Sequence, residues 1–251
     1  MRVFFIRKVA VIIFLFLLVL AVMIGIPAAM VSKTVSPESR EYWEGSTDIV
    51  WHVDTREKVI ALTFDDGPST TFTPMILDIL KKNNAKATFF VIARRAEIYQ
   101  DIVHRIVYEG HEIASHTYNH RYLNRITENE LREELSLADI TIRQVAGVKP
   151  KLFRPPGGYY NEKIVRVSKE FGYKVVIWSW EQQPKDWANP GTQTIIRRVL
   201  KDAASGNIVV FHDQGGNRTQ TVQALQPIIN DLKSKGYKFI TVSEMIAGSK
   251  H

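Results

Sequence analysis

Apolar, β-branched runs alternate with segments of helical spacing between residues 58 and 242. The runs are KVIALTF (58–64), ATFFVI (87–92), EIAS (112–115), LFR (152–154), YKVVIWSW (173–180), NIVVF (207–211) and YKFITV (237–242). Because a helix that follows a strand carries the chain back across the sheet, this alternation predicts parallel strands. It indicates an α/β fold of about seven strands, and the periodicity leaves open whether they form a doubly wound sheet or a closed barrel.

Two of the intervening segments show the periodicity of amphipathic helices, namely TPMILDILKKNN (73–84) and TENELREELSLADITIRQVAG (127–147). In the second, Thr127 stands three residues before Glu130, which is a capping-box pattern, and Gly147 is typical of a helix end. Upstream, DIVWHVDT (48–55) alternates between apolar and polar residues. That alternation predicts a short strand, which we expect to pair with the strand that follows it.

The first 32 residues differ in composition from the rest. The 24 residues from Val9 to Ser32 carry no charge, and they follow Arg2, Arg7 and Lys8. Roughly 20 apolar helical residues span a bilayer, so this run predicts one transmembrane helix with the following chain outside the cell. A cleaved signal peptide is the alternative, because the run ends in the small residues of PAA. We expect an anchor or signal segment over 1–32, a polar stem and leading strand over 33–57, and the main domain over 58–251.

Net charge and cysteine content exclude several kinds of site. The chain carries a net charge of +7, of which three charges precede the apolar run. The remaining +4 forms no concentrated basic stripe, so we expect no nucleic-acid partner. The absence of cysteine excludes disulfides and thiolate ligands. Any metal ion must therefore be held by His, Asp or Glu.

Ionisable residues follow five of the predicted strands at their carboxyl ends. They are Asp65 and Asp66, His116 and His120, Arg154, Asp186, and His212. In a parallel α/β architecture the carboxyl ends of the strands open onto one face, which is where active sites form. We therefore expect these side chains to meet in one cleft.

The histidines and aspartates in this set suit a metal-dependent hydrolase. His116 and His120 are four residues apart, a spacing that in a helical turn places both rings on one side. Two imidazoles and one carboxylate form a three-ligand site that leaves a position open for water. One of the adjacent aspartates, Asp65 and Asp66, would bind the cation while the other remains free as a base. The alternative is that the histidines are surface or capping residues and that Asp66 caps a turn.

The remaining polar residues suit supporting roles. His212 is expected to act as the complementary acid, and Asp186 to hold its imidazole in the required tautomer. Asp213, adjacent in sequence, is the rival for that task, although its side chain should diverge from that of His212. Arg154 is a bidentate donor that would orient Asp65, and the alternative for it is a purely structural ion pair.

These segments, in this order, resemble the polysaccharide deacetylases of carbohydrate esterase family 4, also called the NodB-homology family, from about Lys58 to Ile246. The motifs that carry the resemblance are TFDDGP (63–68), SHTYNH (115–120), RPPGG (154–158), DW (186–187) and FHD (211–213). The resemblance implies a distorted (β/α) barrel with fewer than eight strands. It also implies the removal of N-acetyl groups from amino sugars, or less often of O-acetyl groups, with the help of one divalent metal ion.

The resemblance also implies a role for each matched residue. Asp65 matches the catalytic base, Arg154 the residue that orients it, His212 the acid and Asp186 the partner of that histidine, while Asp66, His116 and His120 match the metal ligands. Zinc is the expected metal, with cobalt, nickel and manganese as alternatives.

The chain departs from the family pattern at two positions in the substrate pocket. Gly157 stands where the family often has tyrosine, so one ring that contacts substrate is missing. The resemblance implies that this residue donates its backbone N–H to the oxyanion, and we therefore expect alanine to be tolerated there. Val210 replaces a leucine of the pocket for the acetyl methyl group. Of Trp178, Trp180 and Trp187, all expected in the core, only Trp187 is placed to line a sugar or acyl pocket.

Together these features predict a membrane-anchored, monomeric deacetylase whose catalytic domain lies outside the cytoplasm. We expect it to act on N-acetylglucosamine of cell-wall peptidoglycan, because the anchor would hold it near the wall. Chitooligosaccharide or acetylxylan is the alternative substrate. The alternative outside enzymes is a catalytically silent wall-binding or spore protein on the same fold, although such a protein has no need of the base and the acid.

The uncharged run over 9–32 leads to a prediction about localisation. The full-length protein should fractionate with membranes and be accessible to protease added outside the cell, because a helix of this length is retained in the bilayer. Fractionation followed by N-terminal sequencing tests this. Mature protein free in the medium and beginning near Met30 would show that the segment is a cleaved signal, in which case the protein is secreted.

Overall fold

The computed structural model describes residues 40–43 and 46–249. All of these belong to a compact unit that spans Pro37–His251. Within the described ranges, no helix has the length and apolar character needed to cross a membrane. The predicted anchor over 1–32 lies outside the described residues, so the anchor and the boundaries at 32/33 and 57/58 stay predictions.

Eight short strands form one sheet in which every strand pairing is parallel, as the alternation predicted. They are β1 (Ile49–Val50), β2 (Val59–Asp65), β3 (Ala87–Val91), β4 (Glu112–Ser115), β5 (Leu152–Phe153), β6 (Lys174–Val176), β7 (Asn207–His212) and β8 (Lys238–Phe239). Seven of them follow the order β1-β6-β5-β4-β3-β2-β7, and β8 pairs with β2 off this path. The fold is an α/β, barrel-like arrangement.

The segment before β2 brings the two ends of this path together. An isolated antiparallel bridge joins His52 to Asn207, and the N–H of Val53 donates to the carbonyl of Gly206 at 3.1 Å. The predicted pairing of the leading strand with the strand that follows it is therefore wrong. β1 instead pairs in parallel with β6, where Val50 lies opposite Val176, because the chain first crosses one end of the sheet before it enters β2.

Helices connect the strands. They are α1 (Arg40–Trp43), α2 (Phe72–Lys82), α3 (Ala93–Ile98), α4 (Gln100–Tyr108), α5 (Glu128–Ala146), α6 (Glu162–Glu170), α7 (Thr192–Lys201), α8 (Thr219–Ser234) and α9 (Val242–Gly248), with short 3-10 helices at Leu123–Arg125, Pro156–Gly158 and Asp186–Ala188. The capping box of Thr127 and Glu130 is confirmed, and α5 ends at Gly147 in a left-handed conformation. These caps satisfy N–H groups at the start of the helix and carbonyls at its end.

Strand alternation explains which side chains reach the interior of the barrel. Along β2, Ile60, Leu62 and Phe64 belong to the large core cluster that includes residues of the outer helices, whereas Ala61 belongs to a separate cluster with Phe90, Ile208 and other inward residues. Because successive side chains alternate between faces, Thr63 and Asp65 share the inner face with Ala61. The last inward position of β2 is therefore occupied by a carboxylate.

Gly206 provides a test of the contact that joins the two ends of the sheet. Its φ is +80°, and a Cβ built there would overlap the carbonyl oxygen of Val53. Gly147 is a matched control, because its φ is +68° and nothing lies within 4 Å of a Cβ there. Gly147→Ala should cost only the left-handed conformation, about 1–2 kcal/mol, whereas Gly206→Ala should lose a further amount of about 1–3 kcal/mol through overpacking. Equal losses in equilibrium denaturation would contradict this contact.

Candidate active site

A cleft of about 470 Å³ lies at the carboxyl ends of the strands and collects most of the predicted residues. The predicted residues that line it are Asp65, Asp66, His116, His120, Gly157, Trp187, Val210 and His212. The two others, Arg154 and Asp186, are buried and contact residues of the lining. The structure therefore brings together all ten residues singled out from the sequence, as the parallel topology predicted.

Asp65 is held from behind by the fully buried guanidinium of Arg154. Nη1 of Arg154 donates to Oδ1 of Asp65 at 2.7 Å and to the hydroxyl of Thr63 at 2.8 Å. The predicted two-bond contact between the guanidinium and the carboxylate is wrong, because the other two nitrogens donate to the carbonyls of Val176 and Ile177. Burial lowers the pKa of Arg154. The single bond fixes one oxygen of Asp65 and leaves the carboxylate facing the cleft.

Asp66 points away from Asp65 because its backbone is left-handed, with a φ of 76°. Its Oδ1 lies 3.5 Å from Nε2 of His116 and 3.1 Å from Nε2 of His120. Burial alone would raise the pKa of Asp66, but the hydrogen bonds with the two histidines outweigh it and lower that pKa below its usual range. The hydrogen bond with Asp66 raises the pKa of His120. Opposite charges on neighbouring groups thus favour a carboxylate here.

The three side chains also fit a divalent cation. One ligand atom from each lies within 4.8 Å of the others. Nδ1 of His116 is 2.7 Å from the carbonyl oxygen of Arg154. Since a carbonyl can only accept, Nδ1 carries the proton, so Nε2 is the nitrogen that would lose its proton and offer a lone pair to a cation. A ligand histidine held in this way is typical of metal sites, and one carboxylate with two imidazoles is a common donor set for zinc.

The turn that carries the two histidines is not helical, yet both rings lie on one side of it, toward Asp66. Thr117 and His120 have φ values of 67° and 61°, and the N–H of His120 donates to the hydroxyl of Thr117 at 2.9 Å. Buried Glu134 on α5 stabilises the turn. Its carboxylate accepts from the N–H groups of Tyr118 and Asn119 and from the side-chain amide of Asn119. Glu134 was not among the predicted site residues, and a glutamate on the apolar face of that helix was the available signal.

His212 is held by Asp186, as predicted, and not by its neighbour Asp213. Oδ1 of Asp186 is 2.8 Å from Nδ1 of His212, and Oδ2 accepts from the N–H of His212 and the hydroxyl of Thr221. Burial would lower the pKa of His212, but the hydrogen bond to Asp186 outweighs it and raises that pKa. Asp213 accepts instead from Thr73 and is fully buried, which raises its pKa to about 7.

The sequence and the fold match known proteins. A family model for polysaccharide deacetylases matches residues 52–176. A peptidoglycan-N-acetylglucosamine deacetylase of Bacillus cereus is 45% identical over 207 residues, which cover 82% of this chain and 97% of that protein. The chain belongs to the polysaccharide deacetylase family. This confirms the resemblance drawn from the five motifs, and it makes the chain a member of a hydrolase family whose enzymes use a divalent metal ion.

Two further relatives bear on activity. The crystal structure of the Bc1960 peptidoglycan N-acetylglucosamine deacetylase matches with a TM-score of 0.79 and 36% identity, covering 84% of this chain and 98% of that one. BA3943 of Bacillus anthracis, described as a pseudoenzyme of carbohydrate esterase family 4, matches with a TM-score of 0.74 and 27% identity, covering 80% and 69% of the two chains. Because the family includes a pseudoenzyme, activity has to be argued from the residues of the site.

The surroundings of Gly157 change the expectation that alanine is tolerated at this position. Its φ is +69°, and a Cβ there would lie 2.9 Å from Cε2 of Tyr159. Alanine at 157 would therefore be strained by the left-handed backbone and by the Tyr159 ring, which contradicts the expectation that it is tolerated. The ring of Tyr159 occupies the space that a side chain at 157 would enter.

The tryptophans are more exposed than expected. Trp180 is 76% exposed and Trp187 is 50% exposed, so neither lies in the core. Trp187 lines the cleft as predicted, and Trp178, expected only in the core, lines it as well. Five other lining residues were not predicted, namely Tyr122, Tyr159, Gln183, Gly215 and Arg218. All of them lie in segments outside the strands and the α-helices, where periodicity carries no signal.

Glu134 offers a test of the cation site that does not depend on turnover. Glu134→Ala leaves two backbone N–H groups without their acceptor, so the histidine turn should loosen. Loss of a residue that supports metal ligands typically weakens metal affinity about 10–100-fold. Calorimetric titration of the metal-free protein with Zn²⁺ measures this. Glu133→Ala, an exposed neighbour on the same helix, is the matched control, and equal affinities of the two variants would contradict the role of Glu134.

Proposed function

We propose that this chain is a metal-dependent deacetylase that removes acetyl groups from N-acetylglucosamine of peptidoglycan. The observation that carries the proposal is the content of one cleft: a three-donor cation site, a carboxylate held by a buried arginine, and a histidine held by a second carboxylate. A protein that only bound the wall would have no need of the last two. The names of the Bacillus cereus relatives support the choice of peptidoglycan.

Asp66, His116 and His120 would hold the cation, which we propose to be zinc because its preferred ligands include imidazole and carboxylate. Cobalt, nickel and manganese share these ligands and remain alternatives. When bound, the cation would act as a Lewis acid toward the acetamide carbonyl. The two histidines come from one turn and Asp66 from the end of β2, so the site depends on the packing of the 116–120 turn against that strand.

Asp65 would act as the general base. It takes a proton from the water that attacks the acetamide carbon, and its contact with Arg154 fixes the direction from which it does so. Because Asp65 and Asp66 point in different directions, base and ligand do not compete for one position. The backbone N–H of Gly157 would donate to the oxygen of the tetrahedral intermediate. Val210, which is buried and lines the cleft, would contact the acetyl methyl group, and Trp187 would contact the sugar.

His212 would act as the general acid. Its Nδ1 is engaged by Asp186, so Nε2 is the nitrogen that delivers a proton to the departing amine. The reaction then releases acetate and leaves a glucosamine unit. The raised pKa of His212 means that its protonated form persists to higher pH than in a free histidine, and this form is lost as the pH rises through the pKa of the folded protein.

Acetate release separates the candidate functions. Purified full-length protein loaded with Zn²⁺ should release acetate from purified peptidoglycan faster than from acetylated chitooligosaccharides or acetylxylan. The control is His212→Ala, which removes the proposed acid. Faster release from chitooligosaccharide or acetylxylan would reassign the substrate. Peptidoglycan binding without release of acetate from any of the three would show a silent binding protein.

The two adjacent aspartates should separate by role. Asp66→Asn should weaken metal binding because a neutral amide is a poorer ligand, and asparagine tolerates the left-handed backbone at this position. Asp65→Asn should leave the metal content near that of the wild type and lower activity by about 10²–10⁴-fold, the usual worth of a general base. Metal analysis of both purified variants checks this. Equal metal loss in the two would contradict the division of roles.

We further propose that the protein acts outside the cytoplasm as a monomer held in the membrane by residues 1–32. The sequence of that segment supports the anchor, and a wall polymer supplies a substrate within reach of it. Secretion remains the alternative if the segment is cleaved.

A further inference from the structure

A row of three side chains leads away from the cleft, and the proposed chemistry uses none of them. Tyr159 and Tyr122 line the cleft, are 50% and 55% exposed, and meet edge to face with ring centroids 6.5 Å apart. The guanidinium carbon of Arg125 lies over the Tyr122 ring, 5.7 Å from its centroid. Arg125, which does not itself line the cleft, thus contacts the second of two aromatic rings that do line it.

The segment over 122–126, which carries Tyr122 and Arg125, is anchored to the core by its buried side chains. Leu123 is fully buried and Ile126 nearly so, and both belong to one core cluster. Nζ of Lys163 donates to the carbonyl of Ile126 at 2.6 Å. Tyr122, which precedes this short 3-10 helix, and Arg125, its last residue, are therefore carried by a backbone segment that is packed into the protein before any ligand binds.

Arg125 differs from nearby Arg121 because its positive charge is not paired with a carboxylate of the described residues. Arg121 forms a salt bridge with Glu130 at 2.8 Å. Arg125 is exposed, and among the residues that the structure describes it has no carboxylate partner within salt-bridge distance. A guanidinium oriented by an aromatic ring presents its N–H donors in a planar fork that suits a carboxylate. The faces and edges of the two tyrosines suit the C–H surface and hydroxyl groups of a sugar.

We infer that the Tyr159–Tyr122–Arg125 row is a substrate subsite for a glycan that carries a carboxylate next to the sugar being deacetylated. Peptidoglycan carries carboxylates on its stem peptides and on those muramyl groups that lack a stem peptide, whereas chitooligosaccharides and acetylxylan are neutral. The row therefore selects the acidic wall polymer over neutral acetylated glycans. This inference rests on the proposed function, because it assigns the substrate class of the same cleft.

The test compares an acidic with a neutral glycan in the full-length protein. For a peptidoglycan fragment with intact stem peptides, Arg125→Gln should raise KM about two- to fivefold at low salt with kcat unchanged, the range expected for an exposed charge pair. KM for an N-acetylchitooligosaccharide should not change. The difference should disappear at about 1 M salt, where charges are screened within roughly 3 Å, and Arg125→Lys should retain part of it.

The matched control is Arg121→Gln, which removes a positive charge four residues away that Glu130 already neutralises. It should leave the ratio of the two KM values unchanged. Tyr122→Ala should raise KM for both glycans because it removes the ring that either sugar contacts. Equal effects of Arg125→Gln on the acidic and neutral glycans, or an equal effect of Arg121→Gln, would overturn the inference.

A binding measurement keeps this test separate from that of the proposed function. Calorimetry with the Asp65→Asn protein and its Asp65→Asn/Arg125→Gln counterpart needs no turnover. Tighter binding of the peptide-bearing fragment by the first protein, with equal binding of the chitooligosaccharide by both, supports the subsite even if no acetate is released by the wild type. Equal binding of the peptide-bearing fragment by the two proteins overturns it even if the enzyme is active.

Discussion

The buried guanidinium of Arg154 is the interaction on which the cleft depends. It has no exposure to solvent, and it contacts one carboxylate, one hydroxyl, two backbone carbonyls and the face of Phe90, 4.0 Å from the ring centroid. Removing such a charge from water costs several kcal/mol, and only a complete set of partners offsets that cost. The partners come from β2, β3 and the end of β6. The geometry around Asp65 therefore depends on how these three strands are placed relative to one another.

The same residue links the proposed base to the candidate metal site through its backbone. The carbonyl of Arg154 accepts from Nδ1 of His116, while its side chain donates to Asp65. The tautomer of one proposed ligand and the orientation of the proposed base therefore depend on one position at the end of β5. A substitution of Arg154 would disturb the tautomer of His116 and the orientation of Asp65 together. The resulting loss could not be assigned to a single hydrogen bond. The placement of Asp66 depends instead on its own left-handed backbone.

The sequence predicted the parts of the site that follow from strand periodicity and chain order. Asp65 takes the last inward position of β2, which strand alternation predicts. The pairing of β2 with β7, which places Asp65 opposite His212, was not predicted and comes from the sheet topology. The parallel strands and the helix over 128–146 follow from the same periodicity. What periodicity could not supply are contacts between distant segments. Glu134 stabilises a turn 16 residues earlier, and the pairing of β1 with β6 depends on how the sheet closes.

Of the two departures from the family pattern, Val210 lies within β7, whereas Gly157 lies outside the strands and α-helices and exchanges one side chain for another. Glycine at 157, which is left-handed, lacks the tyrosine ring that the family often has at this position. The space that a side chain there would enter is occupied by the ring of Tyr159. The backbone that would serve the oxyanion is thus kept, while the ring that meets the sugar comes from a different position and continues through Tyr122 toward Arg125. Chemistry in this fold is held by strand ends, where a displaced group would lose its buried partners. We expect substrate choice to depend more on the loops, because their side chains can be exchanged without unpairing a buried charge.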